Sequence, residues 1–64
     1  MKMKNYHHCV VMKNGEFYRE NVTTDQTAKQ QGEHLWKTVP NVFLVEVKED
    51  CGEEWGEDCY IRNR

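Results

Sequence analysis

The sequence predicts an α+β domain: one small antiparallel-rich sheet with a single helix on one face, in the order β-β-α-β-β. Three observations carry this expectation. Asn14-Gly15 separates two alternating segments, apolar residues from Ala28 to Val39 recur at helical spacing before Pro40, and Val42 to Val47 is a short β-branched and aromatic run. The first is a hairpin signal, the second an amphipathic helix, and the third a buried strand. Strands gathered around one helix are the pattern of a segregated α+β layer.

Met1 to Asn5 is polar and is expected to fray, so the folded domain spans residues 1–64 with 1–5 loose. His7 to Met12 and Phe17 to Val22 then form the first hairpin. A two-residue Asn-Gly turn sets Met12 opposite Phe17, Val11 opposite Tyr18 and Cys9 opposite Glu20. A three-residue loop with Gly15 in a bulge shifts every pair by one. Both faces carry apolar residues, which leaves the buried face open.

Thr23 and Gln26 stand at capping-box spacing, and Asp25 puts negative charge in a first helical turn. The helix is expected to start there. Its apolar face is Ala28, Gly32, Leu35, Trp36 and Val39, and Pro40 ends it. A mid-helix glycine costs about 1 kcal/mol against alanine. Gly32 is therefore explained by close approach of the helix to the sheet.

Val42 to Val47 is expected to be the central strand, with Phe43, Val45 and Val47 on one face. A turn around Glu54-Trp55-Gly56 would bring Cys51 opposite Cys59 and Glu49 opposite Ile61, with Cys59 to Arg62 as the last strand.

A chain of 64 residues buries only about 60% of its unfolded surface and has little core with which to rigidify a catalytic constellation. No enzyme activity, cofactor or small-molecule substrate is expected. The basic N-terminus lacks the apolar run of a signal peptide, and no segment reaches the length of a membrane span. Three cysteines, an odd number, suit a reducing compartment. A cytoplasmic location is expected, and the sequon Asn21-Val22-Thr23 is discounted on that ground.

Charge is distributed unevenly. From Glu46 to Asp58 the chain carries seven carboxylates against one lysine, a local charge of −6 in a protein whose net charge is −2. Charge runs often do no more than solvate a loop. Here Trp55 lies within the run, and aromatic residues are enriched at binding hot spots. Glu49, Asp50, Glu53, Glu54, Glu57 and Asp58, with Trp55 as apolar anchor, are the candidate partner-binding residues.

Other residues of the chain bear on metal, redox and nucleic-acid chemistry. His7, Cys9, Cys51 and Cys59 include the ligand types of a zinc site, without the close ligand pairs of zinc ribbons and fingers. Facing Cys51 and Cys59 would suit a disulfide, whose activation as a redox switch the surrounding carboxylates oppose. The carboxylate order does not match a calcium loop. Lys2, Lys4, Lys13, Arg19, Lys29 and Lys37 are dispersed over several elements, which argues against direct nucleic-acid binding.

Trp36-Lys37-Thr38-Val39-Pro40-Asn41-Val42-Phe43-Leu44-Val45 resembles the W-x-x-V-P-x-x-F-x-V stretch of the small T7-type phage inhibitors of bacterial RNA polymerase. Those proteins are of similar length and run hairpin, helix, strand. The resemblance covers about the middle third of the chain. The family's inhibitory contact pairs strand arginines with an acidic strip, whereas the strand here carries Glu46 and Lys48. What the resemblance implies is a genre: a phage or mobile-element protein that disables a host protein by docking on it. The expected function is thus non-enzymatic binding of a host protein through an acidic surface that imitates nucleic acid. A zinc-stabilised module and a direct nucleic-acid binder are the alternatives, and exposed sheet edges also allow a homodimer.

Overall fold

The computed structural model describes residues 2–51 and 54–64, with side chains described over 2–50 and 56–64. The elements follow in the expected order: β1 (Lys4–Met12), β2 (Phe17–Thr24), α1 (Ala28–Thr38), β3 (Val42–Cys51) and β4 (Glu54–Asn63). All three strand pairings are antiparallel, in the sheet order β2-β1-β3-β4. Two strands, β1 and β3, are therefore central, and β2 and β4 are the edges.

The first hairpin adopts the three-residue alternative. Val11 pairs with Phe17, Val10 with Tyr18 and Cys9 with Arg19. Gly15 has φ +92, a conformation open to glycine at little cost. Its N–H donates to Met12 O at 3.0 Å, while Met12 N–H donates to Glu16 O at 2.7 Å. The chain does not fray at Asn5, because Lys4 and Asn5 pair with Thr24 and Thr23.

The helix starts later than Thr23 implied. Thr23 and Thr24 extend β2, and the capping box is closed by Thr27 and Gln30. Gln30 N–H donates to Thr27 Oγ1 at 3.2 Å and Thr27 N–H to Gln30 Oε1 at 2.9 Å. The same T-x-x-Q spacing occurs twice in TTDQTAKQ, and only the second copy leaves the first free for strand pairing. Helix α1 ends at Thr38 with Val39 as C-cap. Asn41 then turns the chain at φ 57, a left-handed conformation that asparagine tolerates better than most residues.

The helix face is the expected one: Ala28 and Gly32 are buried, and Leu35, Trp36 and Val39 pack at the core margin. A Cβ built at Gly32 would run into the Tyr60 ring, with Cε2 only 2.6 Å away. That close approach accounts for the glycine. Helix α1 lies against β3 and β4, so the β2 side of the sheet extends past it.

The core is built from Tyr6 and Val10 on β1, Ala28 on α1, and Val42, Val45 and Val47 on β3. Phe43 departs from expectation: it is 42% exposed, whereas Val42 is 2% exposed. The pairing of Val11 with Leu44 is followed by that of Met12 with Val42. This shift in register exchanges which residue enters the core.

Strand β4 is longer than expected, and the second hairpin is offset. Cys59 pairs with Lys48, Ile61 with Glu46 and Cys51 with Glu54. The chain thus reverses between Cys51 and Glu54, not at Trp55. Cys51 and Cys59 do not face each other, which removes the cross-strand disulfide geometry.

Candidate functional site

Strands β3 and β4 run antiparallel, so the acidic stretch folds back on itself at the free end of an edge hairpin. Asp50 and Glu57 are exposed there. The Glu49 carboxylate is 3.6 Å from Lys4 Nζ, and its side chain is only 14% exposed. Gly52 and Glu53, and the side chains of Glu54 and Trp55, lie outside the described residues.

Asp58 has a different position from its neighbours. Its Oδ2 accepts from Tyr6 Oη–H at 2.8 Å and from Ala28 N–H at 3.0 Å. The carboxylate thereby joins β4 to β1 and satisfies a free N–H in the first turn of α1, where negative charge is favoured. A carboxylate that the sequence assigned to partner binding thus serves the fold.

The opposite end of the same hairpin is basic. The Arg62 and Arg64 guanidinium groups lie 4.5 and 5.2 Å from the centre of the Trp36 ring, within cation–π range. Arg64 Nε also donates to Val42 O at 3.0 Å. Lys37 stands in the last turn of α1, nearby in sequence to Trp36. The β3–β4 hairpin is consequently polarised along its length.

Of the candidate zinc ligands, His7, Cys9 and Cys59 lie on the sheet face away from α1. His7, Lys48 and Cys59 form one cross-strand row, with His7 beside Asn21 Oδ1 at 3.0 Å. Two strand spacings separate His7 from Cys59, roughly 10 Å. Cys9 is one row away, opposite Glu46, and the Cys51 side chain is outside the described residues. Among the described residues no three His, Cys, Asp or Glu side chains are grouped to hold a metal ion. Cys9 and Cys59 are free thiols.

A feature that sequence reasoning missed lies where the sheet extends past α1. A cavity of about 200 Å³ is lined by His8, Glu20, Val22, Gln31, His34 and Leu35, together with Thr24 and Gln26. His8 is 5% exposed and Gln31 4% exposed. Alternation along β1 puts His8 on the same face as Tyr6 and Val10, beside Val47 and Glu20 in the register. His8 Nε2 and Gln31 Oε1 are 2.7 Å apart. The Gln31 amide nitrogen donates to Gln26 O at 3.0 Å and Thr27 O at 3.2 Å.

These contacts settle the arrangement of hydrogens. Reversing the amide would set its oxygen against two carbonyl oxygens, so Oε1 faces His8 and Nε2 carries the hydrogen. The other ring nitrogen of His8 is Nδ1. That atom is buried and has no hydrogen-bond partner; Glu20 Oε1 stands 3.5 Å away. A buried polar atom left this way costs about 1–3 kcal/mol. A lone His on an otherwise apolar strand face was the available sequence signal, but Gln31 offered none, since its position on α1 reads as polar.

Burial, and after it the Glu20 charge, push the Tyr18 hydroxyl above its ordinary value of 10.0. Glu20 on the edge strand thus acts on Tyr18 and also stands 3.5 Å from His8 Nδ1.

No protein-family model, curated protein or solved structure matches this chain. No helix among the described residues is long and apolar enough to cross a membrane.

Proposed function

We propose that this protein is a non-enzymatic binding module which docks its acidic β3–β4 hairpin on a host protein with a basic surface. In this reading it is a phage or mobile-element accessory protein acting in the host cytoplasm. The target surface is a groove that ordinarily holds nucleic-acid phosphates, so occupancy by the hairpin inhibits the target. The observation that carries the reading is the polarised hairpin, with −6 of charge between Glu46 and Asp58 and two arginines near its other end. Complementary charge accelerates encounter, and a charge gradient along the hairpin favours one docking orientation.

Asp50, Glu53, Glu54 and Glu57 are the carboxylates assigned to contact, with Trp55 as apolar anchor. Glu49 contributes with Lys4 beside it. Asp58 is assigned to holding the hairpin against α1.

The test is capture from bacterial lysate by the intact chain and by a variant carrying Asp50→Lys, Glu53→Lys, Glu54→Lys and Glu57→Lys. The expected result is a nucleic-acid-handling protein held only by the intact chain and released by duplex DNA or salt. Equal capture by the two forms, or capture insensitive to DNA, would overturn the proposal. Asp58 is kept in both forms so that folding is not disturbed.

A further inference from the structure

Helix α1 covers one face of the sheet, and among the described residues no element packs on the other. Cross-strand rows on that open face run from β2 through β1 and β3 to β4. Phe17, Val11, Leu44 and Asn63 form one row, and Arg19, Cys9, Glu46 and Ile61 form the next. Together they make an apolar patch. Phe17 and Ile61 are 63% and 56% exposed, and Val11, Cys9 and Leu44 are half-buried. The charges within these rows are Arg19 on β2 and Glu46 on β3, opposite in sign and one strand to either side of Cys9. The Arg19 guanidinium is 5.9 Å from the centre of the Phe17 ring, which keeps it over this face.

We propose that a second copy of this chain packs face to face on this patch, about a two-fold axis that runs parallel to the strands over Cys9. That operation lays β1 on β1 of the second copy and β2 on its β3, and it leaves the rows in step. Arg19 then meets Glu46 of the second copy, and Glu46 meets Arg19, while Phe17 meets Leu44. This is the self-complementarity that an isologous contact requires. Packed sheets cross at about 30°. Pivoting at Cys9, that angle displaces a residue one strand away by only about 2.5 Å, which a long arginine side chain spans. A two-fold perpendicular to the strands through the same row would set Arg19 on Arg19 and Glu46 on Glu46, which like-charge repulsion disfavours. Glu46 keeps Lys48 at 3.7 Å, an exposed pair of little energy that does not replace a partner across the interface. Three overlapping strands make a contact smaller than the roughly 800 Å² a side of a standard interface, so the dimer dissociates on dilution.

The experiment is sedimentation equilibrium of the full chain under reducing conditions over a concentration series, with Arg19→Glu, Glu46→Arg and the double variant beside it. The native chain should pass from monomer to dimer as concentration rises. Each single substitution sets like charges against each other and should weaken dimerisation by about tenfold or more. The double variant restores the opposite pair and should return to within about threefold of the native chain, a recovery that a merely misfolded variant would not show. Thiol cross-linking fixes the axis. With a short bismaleimide, a chain keeping Cys9 alone (Cys51→Ser, Cys59→Ser) should cross-link to itself. A chain keeping Cys59 alone (Cys9→Ser, Cys51→Ser) should not, because the two Cys59 positions lie four strand spacings apart, about 19 Å. A monomer at every concentration, a double variant no better than the single ones, or cross-linking through Cys59 in place of Cys9 would each overturn the proposal. None of these readouts depends on docking of the acidic hairpin.

Discussion

Gly32 shows how one residue can report the distance between two layers. Helix propensity alone makes Gly32→Ala favourable by about 1 kcal/mol. The added methyl would meet the Tyr60 ring, whose Cδ2, Cε2 and Cγ all lie within reach. Tyr60 is anchored in β4 opposite Val47, so relief requires moving a ring against the core. Overpacking of this kind costs about 1–3 kcal/mol. Gly32→Ala should therefore lower stability by about 1 kcal/mol or more in urea unfolding, and Tyr60→Val in the same background should recover part of that loss. Tyr18 supplies a second test at this scale. Its hydroxyl is pushed above 10.0, so the folded state holds the proton more tightly than the unfolded chain. The associated stability is complete below the unfolded value and declines as pH rises past 10.0 through the folded one. Melting temperatures across that alkaline range should fall more steeply for the native chain than for Tyr18→Phe.

At the scale of elements, the duplicated T-x-x-Q spacing shows why a correct local motif can be assigned to the wrong place. Both threonines are chemically fit to cap a helix. Thr23 instead pairs with Asn5, its Oγ1–H donating to Asn5 Oδ1 at 2.7 Å. Thr27 is the N-cap. Loss of an N-cap costs about 1 kcal/mol. Thr27→Ala should lower stability by that amount, whereas Thr23→Ala, at an exposed edge position, should stay within about 0.5 kcal/mol. Equal losses in denaturant titrations would contradict this division of roles. The hairpins carry a related lesson. Their existence was legible from Asn14-Gly15 and from the β-rich Val42–Val47 segment, but their registers were not. In the first, a single extra loop residue decides whether Glu20 faces Cys9 or His8. In the second, the reversal falls between Cys51 and Glu54, so Lys48 rather than Cys51 faces Cys59.

For the whole molecule, Asp58 links three elements that are far apart in sequence. Its carboxylate receives hydrogen bonds from Tyr6 on β1 and Ala28 on α1, across separations of 52 and 30 residues. Hydrogen bonds to a charged group contribute about 1.5–3 kcal/mol. Asp58→Ala should cost about 3 kcal/mol in chemical denaturation, and Tyr6→Phe about 1 kcal/mol, because the latter keeps the Ala28 contact. Losses in a double variant should be less than additive, since both substitutions break the same bond. A result in which Asp58→Ala leaves stability unchanged would return this carboxylate to the acidic surface.

The sequence by itself determined the kind of fold and the element order, through periodicities that depend on near neighbours. Residues 3.6 apart on a helix and alternate residues on a strand share a face wherever the chain ends up. It also determined the acidic charge of the second hairpin, because charge is a property of composition. Tertiary structure decided what those residues do. Pairing of β1 between β2 and β3 buried His8, the supporting amide came from α1, and helix docking over β3 and β4 left a cavity beside them. It also turned Asp58 inward and exchanged Phe43 for Val42 in the core. Each outcome rests on contacts between segments distant in the chain, and a one-residue change of register alters the partners of a whole strand.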